Sequence, residues 1–461
     1  MVLTANIDLN RRSGLSLPAR RGEETMRHVR DLSRRQFLVR AGGTAAAVPT
    51  LSAILDACSK PGASVSGSEA VQIARPDNPV TLPMTGEPIA TDTPIEQGAT
   101  IQILNWSVYM WKYVINQFVQ QYADNGIKFS GISTFNNMDE GVQKLQSGKI
   151  QADVFFPTID VLGKLVAADL LQPLNHDLIP ALQQDNWAVF QNPYYDQGWR
   201  YSVPYTIYTT GIGYRRDQIS DEQIHGMDNP WSILWDPANK GMVGVYPSDR
   251  DAMAIVLMKN GITDLNTSND ADLEKVRTDL LAMIDAVNPR IAYDASYNKL
   301  QNDKFWVTTA WSGDVVAGWG YAAPYTEAAY KGYGYWFPAD RKGPIDNDLI
   351  AIPKNAAHPR LAHEFINFWI SFRHAMDNFS WNGYQPPQTQ ADVNALTHTQ
   401  GLYNKQSSSW AAPADYVAPW MPDAVVRESD FGIGYREGPL PPDVDDRWHQ
   451  IWSEFTAGVG S

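Results

Sequence analysis

Cys58 is the only cysteine among 461 residues, so no internal disulfide can form and any fold must be held by its apolar core. A second constraint lies just upstream. Ser33-Arg34-Arg35-Gln36-Phe37-Leu38-Val39 sets two adjacent arginines ahead of a short run from Ala41 to Leu55, which Gly42, Gly43 and several alanines keep only weakly apolar. Paired arginines before such a run form a twin-arginine export signal. About 15 residues are too few to cross a bilayer of roughly 30 Å as a helix, so the run reads as a signal and not as a permanent membrane span. The chain is built to leave the cytoplasm.

The cysteine ends that signal. Leu55-Asp56-Ala57-Cys58 resembles the lipobox of bacterial lipoproteins, in which the cysteine becomes the acylated N-terminus; Asp56 is an unusual residue for its place. Residues 1–57 are therefore expected to be a signal region and Cys58 a lipidation site, with the mature protein periplasmic or on the outer face of the cytoplasmic membrane. Cleavage near Ala57 with release of a soluble protein is the alternative. Ahead of Met26 the sequence carries Arg11, Arg12, Arg20 and Arg21 but no hydrophobic pattern, so Met26 stands beside Met1 as a candidate start.

Removing the nine arginines and five acids of residues 1–57 from 37 basic and 51 acidic side chains leaves 28 against 46, a net charge of −18. A surface of that sign repels nucleic acid and anionic lipid and attracts cations. Residues 58–99 are rich in Pro, Gly, Ser, Thr and Asp without an apolar period, and read as a flexible linker. The remaining stretch, about 360 residues, exceeds one typical core and predicts two domains.

Strand and helix signals alternate. Thr100–Asn105, Ile127–Ser130 and Ala152–Phe156 read as strands, the last a nearly continuous apolar run suited to a buried parallel strand. Val114, Phe118 and Tyr122 mark one face of a helix, and Met138–Ser147 and Ile159–Ala167 read as two more. Tyr201–Tyr205 and Thr209–Tyr214 are extended, with Gly211 and Gly213 suited to a bend between lobes. Beyond them, Met242–Tyr246, Trp306–Ala310 and Asp348–Ile352 read as strands, and Arg250–Asn260, Asp270–Ala286 and a start at Gly313 as helices. Leu361, Phe365, Phe368, Trp369 and Phe372 lie on one apolar helical face after Pro359, and Asp443–Ala457 is an amphipathic closing helix. The class is α/β.

Catalytic templates find no purchase. No Gly-x-x-x-x-Gly-Lys-Ser/Thr loop, His-Glu-x-x-His pair or Gly-x-Ser-x-Gly elbow occurs, and Gly211-Ile212-Gly213 is too short for a dinucleotide fingerprint. The eight histidines have no metal spacing; His358 and His363 read as surface residues. Asp249/Asp251 and Asp346/Asp348 remain as close acid pairs.

Asn105-Trp106-Ser107-Val108-Tyr109, Pro204-Tyr205 with Gly211-Ile212-Gly213-Tyr214, Trp231–Trp235 with Lys240-Gly241, and Trp311-Ser312-Gly313 follow one another in the order and spacing of a known group. With Asp348–Pro353 and Asn382–Pro386 they resemble the spermidine/putrescine-binding proteins of bacterial polyamine ABC transporters, over roughly residues 100–390. The resemblance implies the two-lobed periplasmic solute-binding fold (type II) with the ligand in the cleft between lobes, residues 100–210 plus about 349–392 forming lobe 1 and 211–348 plus about 393–461 lobe 2. It implies a binding protein without catalysis, cofactor or metal, whose partners are a small cationic amine and a permease. Such a protein is expected to be monomeric and to meet the membrane only through its lipid.

Carried across by position, Trp106, Ser107, Tyr109, Thr158 and Asp160 face the ligand from the first lobe, Asp160 standing where the family has a tyrosine. Asp249 and Asp348 are the main carboxylates, with Trp311 and Tyr384 as aromatic contacts. Ala252, beside Asp251, occupies the place of a further family acid, and Asp346 that of a tryptophan, so the pocket keeps its charge and changes its walls. Physics agrees with the class. Amines of this type titrate near ~10 and so carry charge at neutral pH, and each buried ammonium needs a carboxylate. Indole and phenol faces add ~0.5–2 kcal/mol per well-placed ring. Two rivals remain at this stage: a receptor for a sugar or other neutral solute, and an exported carbohydrate-active enzyme using Asp346 and Asp348 or Asp249 as acid and base.

Overall fold

The computed structural model describes residues 72–183, 186–318, 327–391 and 421–459, all within a compact unit that begins at Thr50. The twin-arginine stretch and Cys58 lie outside the described residues. Nine strands form one sheet: β1 (Thr100–Trp106), β2 (Lys128–Phe135), β3 (Val154–Phe155), β4 (Ser202–Arg215), β5 (Val243–Val245), β6 (Arg290–Ile291), β7 (Val307–Trp311), β8 (Tyr333–Trp336) and β9 (Ile345–Ala351). Their order is β2-β1-β3-β9-β4-β7-β5-β6, with β8 beside β4. The outer strands pair in parallel, β1 with β2 and β3, and β5 with β6 and β7. Antiparallel pairing lies in the middle, β9 with β3 and β4, and β4 with β7 and β8.

β4 is the seam between two lobes. Its first half, Ser202 to Thr209, pairs with β9, and its second half, from Thr210, pairs with β7. The two extended segments read from the sequence are thus one strand, and Gly211 does not mark a bend. A side chain at Gly211 would place its Cβ 2.4 Å from the Trp336 carbonyl oxygen, so glycine is required by close approach of β8.

The principal helices follow sequence logic. On the first lobe α1 (Lys112–Gln121) buries Val114, Ile115 and Phe118. The Asn137 side chain caps α2 (Met138–Gln146) by accepting the Glu140 N–H at 2.9 Å, and α3 (Ile159–Ala167) follows β3. On the second lobe Ser248 caps α4 (Asp249–Lys259), and Asn269 caps α5 (Asp270–Val287), each accepting backbone N–H groups of the first turn. Short α6 (Ser312–Ala317) leaves β7. The apolar face read as one helix from Pro359 is two: α7 (Pro359–Trp369) and α8 (Phe372–Asn382), separated by Ile370 and Ser371. Finally α9 (Pro442–Gly458) buries Trp448, Ile451 and Phe455 in the second core, with Val245, Met253 and Leu280.

Four expectations are corrected. The linker does not extend to residue 99: Val80 and Leu82 are buried, and the Val80 N–H donates to the Tyr194 carbonyl at 2.7 Å while its carbonyl accepts from Gln197. Their alternation around Thr81 lets two apolar groups enter the core, which a Pro-rich composition conceals. His363 is fully buried, accepting the Asn175 N–H at Nε2 (3.1 Å), with burial lowering its pKa. His358 is held by Asp153, so neither histidine is a free surface residue. The lobe boundary at 348/349 falls inside β9, which pairs as a unit with the first half of β4 from Ile345 onward. Likewise Val426 and Phe431 pack with Trp187, Phe190 and Ile207, so part of the segment assigned to lobe 2 lies on lobe 1.

Candidate ligand-binding site

The C-terminal ends of β1 and β3, the middle of β4 and β9, and the starts of α4 and α6 converge on a cavity of about 320 Å³. Period-two alternation aims Asp346 and Asp348 to one face of β9. The register sets Thr206 opposite Asp348 and Tyr208 opposite Asp346. Beyond β1, Val108 takes φ 57°, a left-handed conformation that a β-branched residue rarely adopts, and the turn directs Tyr109 inward. The Tyr109 hydroxyl donates to Asp348 Oδ2 at 2.6 Å and accepts from Thr206. Tyr208 is a longer donor to the other oxygen, at 3.5 Å.

A second carboxylate comes from α6. Asp314 accepts from the Tyr246 hydroxyl (2.5 Å), the Tyr384 hydroxyl (2.8 Å) and Ser296 Oγ (3.1 Å). Gly313 makes this possible, because a Cβ there would sit 2.4 Å from Tyr384 Cγ. A third comes from α4: Asp251 accepts from Trp311 Nε1 (2.8 Å), Thr210 Oγ1 (2.9 Å) and Ser248 Oγ (2.6 Å). Rings fill the space between. Trp311 stacks on Tyr246 with centroids 4.0 Å apart and meets the edges of Trp106 and Tyr208, while Tyr384 packs edge-on to Tyr109 at 4.7 Å.

Electrostatics separates these three from Asp346, Asp445 and Asp249. Among the described residues no lysine, arginine or histidine forms an ion pair with Asp251, Asp314 or Asp348, and all three are buried. Burial pushes Asp348 up to about 7, with Asp346 and Asp251 adding to it against the Tyr109 hydrogen bond. Burial also pushes Asp314 up to about 6 despite its three hydroxyl donors, and raises Asp251. Each is a carboxylate whose negative charge is desolvated and lacks a resident counter-charge.

For Asp346, Asp445, Asp139 and Asp249 along the cavity the counter-charge is built in. Arg436 pairs with Asp346 at 3.0 Å. Lys164 of α3 pairs with Asp445 of α9 at 2.7 Å, both nearly fully buried. His449 lies 3.5 Å from Asp139 and 3.8 Å from Asp249; burial opposes its charge, but Asp139, Asp249 and Asp445 outweigh it and lift its pKa to about 10. The cavity walls also hold buried polar atoms without a hydrogen-bond partner, Trp106 Nε1, Thr158 Oγ1 and Glu437 Oε1.

A cavity between two lobes, with aromatic walls and buried carboxylates, has the form of a solute-capture site. Residues 114–402 match the family of bacterial extracellular solute-binding proteins, well over half of the chain. The chain belongs to that family. It is 27% identical to a putrescine/cadaverine-binding protein of Pseudomonas aeruginosa over 302 residues, covering 63% of this chain and 80% of that protein. It is 26% identical to the putrescine-binding periplasmic protein PotF of Escherichia coli over 294 residues, covering 61% and 76%. Among solved structures it shares the fold of a spermidine/putrescine ABC transporter protein from Listeria monocytogenes, with TM-score 0.61, 23% identity, and coverage of 77% and 98%.

All ten residues singled out in the sequence line this solute-binding protein's cavity, but they do not play equal parts in it. Tyr109, Trp311, Asp348 and Tyr384 form its aromatic and acidic centre, and Trp106, Ser107, Thr158 and Asp160 lie along the first lobe. Ser107 also offers its carbonyl to the Tyr293 hydroxyl of the second lobe, at 2.9 Å. Asp249 and Asp346 are tied to His449 and Arg436. As an acid–base pair Asp346 and Asp348 do not oppose each other across the cleft, since both project from the same face of one strand. Sequence reasoning missed Asp314, although it directly follows the quoted Trp311-Ser312-Gly313, and it passed over Asp251 in favour of Asp249. Tyr208 carried a weak signal as an aromatic between Thr206 and Thr210 in an alternating strand.

Proposed function

We propose that this protein is the binding component of an ABC importer that captures a polyamine, or a closely similar cationic amine, and delivers it to a permease. The observation that carries the reading is the trio Asp251, Asp314 and Asp348, three buried carboxylates that among the described residues accept only from neutral donors. Each ammonium of a polyamine would meet a carboxylate there, and Trp106, Tyr109, Trp311 and Tyr384 would cover the methylenes between. The names of the relatives support the same ligand class. Thr158, Asp160 and Ser107 would add polar contacts, with Asp249 and Asp346 acting through their resident partners.

The protein would reach this place by twin-arginine export, be acylated at Cys58, and work as a monomer tethered to the outer face of the membrane, without performing a reaction. Lobe closure about β4 and its neighbouring crossover would trap the ligand, as in hinged two-domain receptors. Calorimetric titration with putrescine, spermidine and a neutral sugar, at low and high salt, tests the reading. Amine binding that weakens as ionic strength rises is expected. Sugar binding without amine binding would overturn it.

A further inference from the structure

Among the described residues, Arg436 is the arginine that pairs with an acid on the cleft face of β9. It is buried, donating from Nε to Asp346 Oδ1 at 3.0 Å and from Nη2 to Asn347 Oδ1 at 2.6 Å. Phe431 and Tyr194 lie under its guanidinium, with centroids at 4.9 and 5.3 Å. The backbone N–H of Glu437 takes the remaining Asp346 oxygen at 3.0 Å. A planar guanidinium fixed by a carboxylate, an amide and two rings has no second place to go.

Asp346 and Asp348 therefore differ in kind although they share a face and stand two residues apart. Asp348 has phenols for neighbours. Asp346 has both oxygens engaged, one by a permanent cation. The cleft thus carries more carboxylates than it offers to a guest, and the difference is set by a residue contributed from just ahead of α9.

We propose that Arg436 is a specificity-determining residue: a resident cation that withdraws Asp346 from the ligand and so limits how many ammonium groups the cleft accepts. The inference rests on the cationic-amine reading above. Without Arg436, a buried Asp346 would lack its partner, and a longer amine would gain by bringing one. The wild-type pair, by contrast, gives a further ammonium nothing to neutralise.

The test is calorimetry at about pH 8, where carboxylates with raised pKa are ionised, using putrescine, spermidine and spermine. In Arg436→Met the affinity for spermine relative to putrescine should rise at least about tenfold, because the unpaired acid now favours the extra charge. An unchanged ratio overturns the proposal. The charge-neutral double variant Arg436→Met/Asp346→Leu guards against a single variant that fails to fold. It should keep the wild-type ratio of spermine to putrescine affinity, because the acid that would favour the extra charge is removed together with its partner. The same shift toward spermine in the double variant means that space and not charge sets the choice, and overturns the proposal. If the wild type binds none of the three amines, the functional reading itself has failed and this inference falls with it.

Discussion

On the side of the cleft formed by β4, α4, α6 and β9, Asp251, Asp314 and Asp348 are held by hydroxyls, phenols and an indole. On the side reached by the C-terminal segment, Asp346, Asp445 and Asp249 are held by a guanidinium, an ammonium and an imidazole. Both groups are acidic and largely buried, and burial raises the pKa of Asp346 and Asp249 as it does that of Asp348. What differs is the source of the positive charge. Acids with a resident cation are finished structure, whereas acids with neutral donors are stabilised just enough to remain in place and still gain from a cation that arrives. The segment from Arg436 to His449 thus converts potential ligand sites into ties between lobes, as Lys164 of α3 and Asp445 of α9 illustrate.

That comparison is easiest to break at Asp348. Asp348→Ala should weaken amine binding by about 3 kcal/mol or more, at least about a hundredfold, because a desolvated ammonium would lose its partner. The thermal unfolding temperature of the unliganded variant should hold steady or rise, since an uncompensated buried charge is gone. Calorimetry and a thermal melt read both quantities, and a variant that binds as tightly as wild type removes Asp348 from the site.

On the other side the loss should fall on stability. Lys164→Met leaves Asp445 buried without its cation and should cost about 3 kcal/mol of unfolding free energy in urea titration. A cost below about 1 kcal/mol would place that pair with weak surface bridges.

The two groups also predict a pH dependence. Burial pushes Asp348 up to about 7 in the folded state, well above the ordinary carboxylate value near ~4, so the folded state holds its proton more tightly than the unfolded state. Its contribution to unliganded stability is therefore favourable at low pH and is lost as pH rises from about 4 through 7. Amine binding needs the ionised form, so affinity should fall as pH drops below about 7, by up to about tenfold per pH unit for one proton. Asp348→Asn should abolish its share of that slope; if the full slope persists, another group is responsible. The smallest effect is expected for Tyr384→Phe, which deletes one of three donors to Asp314 and should cost about 1 kcal/mol of affinity, roughly fivefold. An unchanged affinity would make that donor interchangeable with Tyr246 and Ser296.

Much of this arrangement was legible beforehand because it rests on local rules. The periodicity of Val114 and Phe118, and of Trp448, Ile451 and Phe455 reflects one-sided burial of helices, while the apolar run of β1 marks a strand covered on both faces, Ile101 and Ile103 in one core and Leu104 in another. The order of aromatic and acidic motifs located the cavity residues, and all ten line it. The signal was weaker where neighbours decide. Val80 and Leu82 are surrounded by prolines and polar residues, and only Tyr194 and Gln197, more than a hundred positions away, show where they dock. His363 is polar by identity and buried by context, because Asn175 satisfies its ring.

By itself the sequence determined the class: a chain without internal disulfides, α/β in pattern, strongly acidic, with tryptophans, tyrosines and aspartates placed after its strands. Periodicity, composition and motif order are properties of neighbouring residues, so they survive in one dimension. Only the tertiary structure decided which aspartates are free for a guest, since Asp346 meets Arg436 ninety positions away and Lys164 meets Asp445 across 281. Charge pairing at that range depends on which surfaces fold together, and no local pattern encodes it.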